Sequence, residues 1–348
     1  MPQTGTMSNT VSLQQIADAA GVSKSTVSLA LRNHPRIPET TREKIRSVAG
    51  GLGYKPNPAV SAWMAHRRRL SPAQGGSCIA FINLWQDHSA WENSPWFTRY
   101  VRGACQRAVE LGYGFEELRL HAPGMNGKRI SSILKARGIR GVIVGSVPED
   151  AGPPELNWSH FAAVAQSNSL VSPELSRSVS DYAHAMRTVT GNLTALGYRR
   201  IGYASPRTVE ERTDFLHLGA FLAYQNGIPK VNRIPVIDWV ADPDDKLEKW
   251  ISRHRPDAIV SHDLDMERIL KRIGLNVPGD IGVAALCLHP RKGCDIAGYD
   301  QNLERCGEVA VDLLVGRLNR NETGPPGRPV ITMTRGTWRT GRTVRDIP

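Results

Sequence analysis

The chain has 348 residues, of which 40% are hydrophobic and 22% charged, and a formal net charge of +11. This length allows two or three packed domains, and the composition is that of an ordinary soluble globular protein. No apolar run approaches the roughly 18 residues of a membrane-spanning helix, and the polar first ten residues lack the apolar core of a secretory signal. We therefore expect a cytoplasmic protein with no membrane partner. Its five scattered cysteines form no CxxC pair and are expected to be reduced thiols.

The positive charge is concentrated at the start of the chain. Residues 1–70 carry ten lysines and arginines against three acids, whereas the remaining residues are close to balanced. A compact basic segment beside a balanced body is typical of a protein that binds a polyanion and has a separate second function. A solvated basic surface remains the alternative on charge alone.

The basic segment is predicted to form three short helices. Ser12 and Gln15 match the capping-box pattern that begins a helix, and apolar residues follow at helical spacing until Gly21. Ser23 can cap a second helix after a tight turn, and a third helix is expected between prolines and a terminal glycine over 38–53. Two short helices joined by a glycine-containing turn indicate a helix-turn-helix.

The second helix of this motif presents small polar side chains near its amino-terminal end. Lys24, Ser25, Thr26 and Ser28 combine one cation with short hydroxyl donors. Such side chains suit base edges and phosphates in a DNA major groove. A small helical bundle with a polar face is the alternative that periodicity alone leaves open.

A longer match decides between these alternatives. Residues 11–57 read VSLQQIADAAGVSKSTVSLALRNHPRIPETTREKIRSVAGGLGYKPN. This stretch resembles, without a gap, the headpiece of lac-repressor-type (LacI/GalR) regulators, through the patterns IAxxAGVSxxTVS, TREKI and LGYxPN. The resemblance implies a sequence-specific DNA-binding transcription regulator, expected to be a repressor.

The resemblance also implies which residues touch DNA. The positions that read bases in the family correspond to Lys24, Ser25 and Leu29. Many members have arginine where Leu29 stands, and leucine can touch only a thymine methyl. Further DNA contacts, mostly to phosphates, are implied for Ser12, Leu13, Ser23, Thr26, Ser28, Arg32, Thr41, Tyr54 and Asn57.

Residues 57–66 resemble the hinge helix of the family. This segment is too short to be a stable helix alone, and the resemblance implies that it folds beside its dimer mate in the minor groove. There an apolar wedge kinks the duplex. The alignment gives Val60 a DNA contact and puts Trp63 at the wedge, with Met64 as the alternative. We therefore expect a homodimer on double-stranded DNA at a pseudo-palindromic operator.

The body of the chain alternates short apolar runs with helical stretches, which predicts parallel sheets with helices on both faces. The predicted strands are Cys78–Ile82, Gly141–Val144, Phe161–Ala165, Ile201–Ala204, Ala258–Ser261, Ile281–Leu286 and Val330–Met333. Spaced phrases such as LGYRRIG and VPGDIGV resemble the effector domain of the same family. The predicted fold class is therefore an all-α helix-turn-helix headpiece plus an α/β periplasmic-binding-protein-like effector domain of two doubly wound lobes. After a disordered N-terminus (1–10), the predicted domains are the headpiece (11–56), hinge helix (57–66), linker (67–76), N-terminal lobe (77–182 and 300–327) and C-terminal lobe (183–299 and 328–348).

A small-molecule effector is expected between the lobes, because open α/β sheets bind ligands at the carboxyl ends of their strands. The resemblance implies a sugar or sugar derivative. Two departures stand out: Leu286-Cys287-Leu288-His289 replaces a ligand-binding Gly-Phe-Asp-Asp, and the family's ligand arginine has no clean match, so that Arg212 or His217 stands in. The positions implied for effector binding are Trp96, Phe97, Asp181, Arg212, His217, Trp239, His262, Asp263 and Gln301.

Two other classes of protein are alternatives to a transcription regulator, namely an enzyme and a transport-type binding protein. An enzyme lacks support, because no glycine-rich phosphate loop follows a strand and no GxSxG occurs. The cluster Cys287-x-His289-x4-Cys294 matches no common zinc spacing. A transport-type binding protein would need a signal peptide and no basic headpiece. We therefore expect no catalytic residue, no cofactor and no metal.

Overall fold

The fold is described by a computed structural model, which covers residues 11–31, 36–54, 77–92, 94–148, 151–239, 244–262, 265–288 and 295–347. Within these ranges no helix has the length and apolar character needed to cross a membrane. Predictions that lie outside the described residues are the hinge helix and the roles of Arg32, Asn57, Val60, Trp63, Met64, Asp263, His289 and Cys294.

The headpiece contains three helices, α1 (Leu13–Ala20), α2 (Lys24–Leu31) and α3 (Glu39–Gly51). Both hydrogen bonds of the predicted capping box form: the Ser12 hydroxyl accepts from the Gln15 amide, and the Gln15 side chain accepts from the Ser12 amide at 2.8 Å. Gly21 ends α1 in the left-handed region, with φ 69°, where a glycine is favoured because it has no Cβ. A small apolar core joins the helices, formed by Ile16, Ala17, Ala20, Val27, Ala30, Ile45 and Ala49.

The first lobe is built on a six-stranded, fully parallel sheet of order β11-β5-β4-β3-β1-β2. Its strands are β1 (Cys78–Asn83), β2 (Gly114–Arg119), β3 (Gly141–Val144), β4 (Ala162–Ala165), β5 (Arg177–Ser180) and β11 (Ile331–Thr334). Its helices are α4 (His88–Glu92), α5 (Pro95–Glu110), α6 (Gly127–Ala136) and α12 (Leu303–Asn319). Alternate residues of β1 enter separate cores on the two faces of the sheet, as strand geometry requires.

The second lobe repeats this plan with a sheet of order β12-β10-β9-β8-β6-β7, in which only the β10–β12 pair is antiparallel. Its strands are β6 (Ile201–Ser205), β7 (Ile237–Asp238), β8 (Ala258–Ser261), β9 (Gly282–Ala285), β10 (Ala297–Asp300) and β12 (Thr337–Arg339). Its helices are α7 (Tyr182–Ala195), α8 (Arg207–Arg212), α9 (Leu216–Gly227), α10 (Asp244–His254) and α11 (Met266–Arg272). The predicted fold class is confirmed.

The chain passes between the two sheets three times. It leaves the first sheet after β5, returns to it after β10, and leaves it again after β11. The last crossing differs from the predicted boundary at 327, because β11 pairs in parallel register with β5 and remains in the first sheet. The amide of Arg177 also donates to the carbonyl of Val330 at 2.9 Å. This pairing covers the open edge of β5, which would otherwise leave its backbone groups without strand partners.

Candidate functional site

The amino-terminal end of α2 carries a row of hydroxyl side chains. Ser23 Oγ accepts a hydrogen bond from the Thr26 amide at 3.1 Å and lies 2.8 Å from the hydroxyls of both Ser25 and Thr26. Lys24 and Ser25 are exposed. Because a helix amino terminus combines partial positive charge with free amide donors, this end of α2 suits phosphate oxygens and polar base edges.

Leu29 lies one turn after Ser25 on α2 and is half-buried. Residues four apart share a helix face, so an apolar side chain continues the polar end of α2. Ser12 is exposed but uses its hydroxyl to cap α1. The other described headpiece residues of the predicted DNA surface are half-buried, namely Leu13, Thr26, Ser28, Thr41 and Tyr54.

Four aromatic residues of the first lobe pack together and form what we term the aromatic cluster, Trp85, Trp91, Trp96 and Phe97. The ring of Phe97 stacks on Trp91 at a centroid distance of 4.3 Å, and lies 4.7 Å from Trp85 and 4.8 Å from Trp96. Trp85 follows the carboxyl end of β1, and its indole N–H donates to Ser146 Oγ at 3.4 Å. The cluster therefore stands at the edge of the sheet where α/β proteins bind ligands.

Arg212 connects the second lobe to this cluster. It is the last residue of α8, and its guanidinium carbon lies 5.7 Å from the centroid of the Trp85 ring. That distance allows a cation–π interaction. The predicted positions Trp96, Phe97 and Arg212 are thus brought together through Trp85, which the sequence had not indicated.

Two histidines of the second lobe form a pair, in which His217 is buried and His262 is half-buried. His262 Nε2 lies 3.2 Å from His217 Nδ1, and the Tyr182 ring packs 5.0 Å from the His217 ring. Burial lowers the pKa of His262 to about 4. Burial, with a smaller contribution from His262, also lowers the pKa of His217 well below its ordinary value. Both imidazoles are therefore neutral near pH 7.

Glu210 on α8 lies beside the histidine pair and is itself 4% exposed. Its Oε1 accepts hydrogen bonds from the Tyr203 hydroxyl and, at 2.8 Å, from Ser205 Oγ. Its Oε2 accepts from the Leu218 amide at 3.0 Å. These three donors compensate a buried carboxylate charge. Sequence analysis missed Glu210, whose only signal was its position shortly after an apolar strand.

Arg99 joins the two lobes through an ion network. From α5 its Nε donates to both carboxylate oxygens of Glu304 on α12, at 2.9 and 2.8 Å. The same guanidinium reaches the second lobe, where it donates to Asp300 Oδ1 at 3.0 Å and to the Leu288 carbonyl at 3.2 Å. We term these residues the Arg99 network. The Arg99 network was not predicted, because Arg99 lies about 200 positions before Asp300 and Glu304 in the chain.

Several polar groups are buried without a hydrogen-bond partner among the described residues, and some of them follow strand ends. Both amide atoms of Gln166 lack a partner after β4, as do Trp239 Nε1 after β7 and Gln301 Oε1 after β10. His217 Nε2, on α9, is a fifth unpartnered atom. Buried polar groups are nearly always paired, so these atoms suit a polar ligand at the carboxyl ends of the strands.

Three further described positions were predicted to bind the effector, namely Trp239, Gln301 and Asp181. Trp239 is 1% exposed and packs in the core of the second lobe. Gln301 is buried and donates to the Leu286 carbonyl at 3.1 Å. Asp181 caps α7 by accepting from the His184 amide at 2.9 Å. The roles of Trp239, Gln301 and Asp181 in effector binding stay predictions.

Two families of known proteins match different parts of the chain. Residues 12–57 match the bacterial regulatory proteins of the lacI family, and residues 190–341 match the periplasmic binding protein-like domain. The HTH-type transcriptional regulator PtxS of Pseudomonas plecoglossicida is 25% identical over 325 residues, which cover 90% of each chain.

Two solved structures share the fold. The complex of the transcriptional regulator CelR with cellobiose has a TM-score of 0.57 at 20% identity and covers 96% of this chain and 99% of its own. The lac repressor dimer bound to operator and the anti-inducer ONPF has a TM-score of 0.53 at 18% identity, covering 97% of this chain and 100% of its own. The headpiece match, the lobe match and the shared fold lead to one conclusion: this chain joins a headpiece that matches the lacI family of bacterial regulatory proteins to a periplasmic binding protein-like domain.

Proposed function

We propose that this protein is a sequence-specific DNA-binding repressor whose operator affinity is controlled by a small-molecule effector bound between its lobes. The observation that carries the DNA-binding part is the exposed row of hydroxyls and Lys24 at the amino-terminal end of α2. The relative PtxS is itself a transcriptional regulator. A repressor has to reach the chromosome, so we place the protein in the cytoplasm, and we expect it to turn over no substrate.

The proposed DNA-bound form is a homodimer on a pseudo-palindromic operator. One headpiece covers a half-site only, and a two-fold protein matches two-fold DNA. The lac repressor structure that shares this fold is a dimer bound to its operator. In the proposal, Lys24, Ser25 and Leu29 read bases, and Trp63 of the hinge wedges into the minor groove, with Met64 as the alternative.

The proposed effector is a sugar or sugar derivative. CelR, which shares the fold, was solved with cellobiose. Support from this chain comes from the aromatic cluster, which offers flat apolar surface, and from Arg212 and the buried unpartnered polar atoms. Ligand pockets combine these elements, because aromatic faces supply contact area and a few polar groups fix orientation. Effector binding is proposed to change the approach of the lobes and so the spacing of the headpieces.

Two measurements on the full chain test this proposal. Selection from random duplexes should converge on a palindrome, and binding to the selected duplex should weaken steeply with salt, since each phosphate contact releases a counterion. A thermal-shift screen against a panel of sugars should then find a ligand that raises Tm and changes operator affinity. Selection that yields no palindrome contradicts the DNA-binding proposal, and a stabilising sugar that leaves operator affinity unchanged contradicts the coupling.

A further inference from the structure

We propose that Glu210, His217 and His262 form a binding site for a divalent transition-metal ion, with Zn²⁺ as the reference ion. Each residue offers one ligand atom, and the three atoms all lie within 4.8 Å of one another. The site goes beyond the proposed regulator, because it needs neither DNA nor a sugar. Glu210 and the proposed effector contact Arg212 lie on the same helix, α8.

The distance between the two imidazoles fits a common ion. Tetrahedral Zn²⁺ binds nitrogen at about 2.0–2.1 Å, which puts two ligand nitrogens roughly 3.3 Å apart. His262 Nε2 and His217 Nδ1 are separated by 3.2 Å. Because the ligand atoms lie within 4.8 Å of one another, the carboxylate oxygen has to approach by up to about 1.5 Å to complete such a tetrahedron, a movement within the range of a glutamate side chain.

The carboxylate of Glu210 is oriented by its neighbours and still has capacity for an ion. An ionised carboxylate has about four lone-pair sites, two on each oxygen. Among the described residues, Oε1 accepts from Tyr203 and Ser205, whereas Oε2 accepts from the Leu218 amide alone. One lone pair of Oε2 therefore remains for a metal. The three donors act as outer-shell partners, which orient ligands and strengthen metal binding.

The histidine pair is incompletely satisfied by protein atoms. His217 is 0% exposed, and its Nε2 has no hydrogen-bond partner among the described residues. A hydrogen bond between the two rings also accounts for their 3.2 Å contact, and Nε2 of His217 lacks a protein partner in either case, so the Zn²⁺ titration below distinguishes the two arrangements.

Two nitrogens and one carboxylate oxygen are a donor set of the kind found around Zn²⁺. Three protein ligands leave a fourth position for water or for an oxygen of a bound effector. A single ion near the ends of β6 and β8 would link α8, α9 and β8, three elements of the second lobe. We therefore expect metal binding to stabilise this lobe in particular.

The test uses the full chain without a histidine tag. The protein is treated with EDTA, dialysed, and titrated with ZnCl₂ by calorimetry and by competition with a chromophoric chelator. We expect one ion per protomer and a metal-dependent rise in Tm. Co²⁺ should give the visible absorption of a tetrahedral site. His262→Gln and Glu210→Gln should each weaken Zn²⁺ binding at least tenfold.

The matched control is His121→Gln, which removes an exposed histidine of the first lobe and should leave Zn²⁺ affinity within twofold. The wild-type titration does not depend on how well a variant folds, and circular dichroism checks each variant. Absence of saturable Zn²⁺ binding by the wild type overturns the proposal, as does equal affinity in His262→Gln and His121→Gln. Operator binding after EDTA treatment is measured in parallel, so that failure of the metal site is distinguished from failure of the regulator.

Discussion

Replacing Arg99 by alanine tests whether the Arg99 network holds the two lobes together. The guanidinium is 7% exposed and pairs with Glu304 on its own lobe and with Asp300 and the Leu288 carbonyl on the other. The substitution removes the nearest cation of two carboxylates and leaves Glu304 with Arg102 and Asp300 with Arg339, each at 3.8 Å. Arg99 donates hydrogen bonds to groups of both lobes. Its removal is therefore expected to lower the stability of the lobes and to weaken the contact between them.

The magnitude follows from burial. Removing one partner of a buried ion pair costs about 3–5 kcal/mol. The side chains of Asp300 and Glu304 keep 22% and 29% exposure, so water partly relieves their charge, and we expect a loss of about 2–3 kcal/mol. For lobes of this size each kcal/mol lowers Tm by about 2–4 °C, which gives a total of about 4–12 °C.

Arg102→Ala is the matched control for this substitution. Arg102 lies on the same helix and approaches the same Glu304 at 3.8 Å, but its side chain is 66% exposed. Exposed ion pairs contribute about 1 kcal/mol at most, so Tm should fall by a few degrees at most. Calorimetry and amide exchange of β10 measure the two effects. Equal Tm values for Arg99→Ala and Arg102→Ala would refute the reasoning.

Three further predictions concern single residues. Lys24→Ala should weaken operator binding and reduce the slope of log affinity against log salt by about 1. An equal effect of Lys44→Ala would contradict a particular role of α2 in DNA binding. Gly307→Ala should destabilise the first lobe by about 2 kcal/mol or more, because its Cβ would lie 2.1 Å from a carbonyl oxygen of α5, and an unchanged unfolding midpoint would contradict this packing. Burial raises the pKa of Glu304, but hydrogen bonds and charge from Arg99 outweigh it and lower that pKa. The pKa of Glu304 is lower in the folded than in the unfolded protein, so the stabilisation from the Glu304–Arg99 pair is present above about pH 4.5 and lost in more acid solution. The Tm difference between wild type and Arg99→Ala should therefore shrink there; a constant difference would argue against it.

Local sequence signals determined the headpiece. The capping residues Ser12 and Gln15, the turn glycine Gly21 and the apolar spacing act within a few residues of each other, so the sequence predicted all three helices to within one or two residues. Strands with continuous apolar runs, such as β3 and β8, were also predicted, because a strand buried on both faces excludes polar side chains.

Only the tertiary structure decided where short or polar strands pair. The polar β2 and β5 and the short β7, β10 and β12 were not predicted, because their residues form strands only when a neighbouring strand supplies hydrogen bonds. β11 was predicted as a strand but assigned to the wrong lobe, since its pairing with β5 joins segments about 150 residues apart.

The interlobe chemistry depended on tertiary structure in the same way. Resemblance pointed to Arg212, His217 and His262, but not to Trp85, Glu210 or the Arg99 network. Trp85 and Arg99 are matched across long stretches of chain, and their partners are in place only after both sheets have formed. Glu210 takes its donors from nearby residues of the second lobe, but His262 reaches it only once β8 has paired beside β6. The sequence by itself determined the headpiece, because its helices form from signals that lie within a few residues of each other. The packing of the two lobes decided which side chains meet between the lobes and beside them.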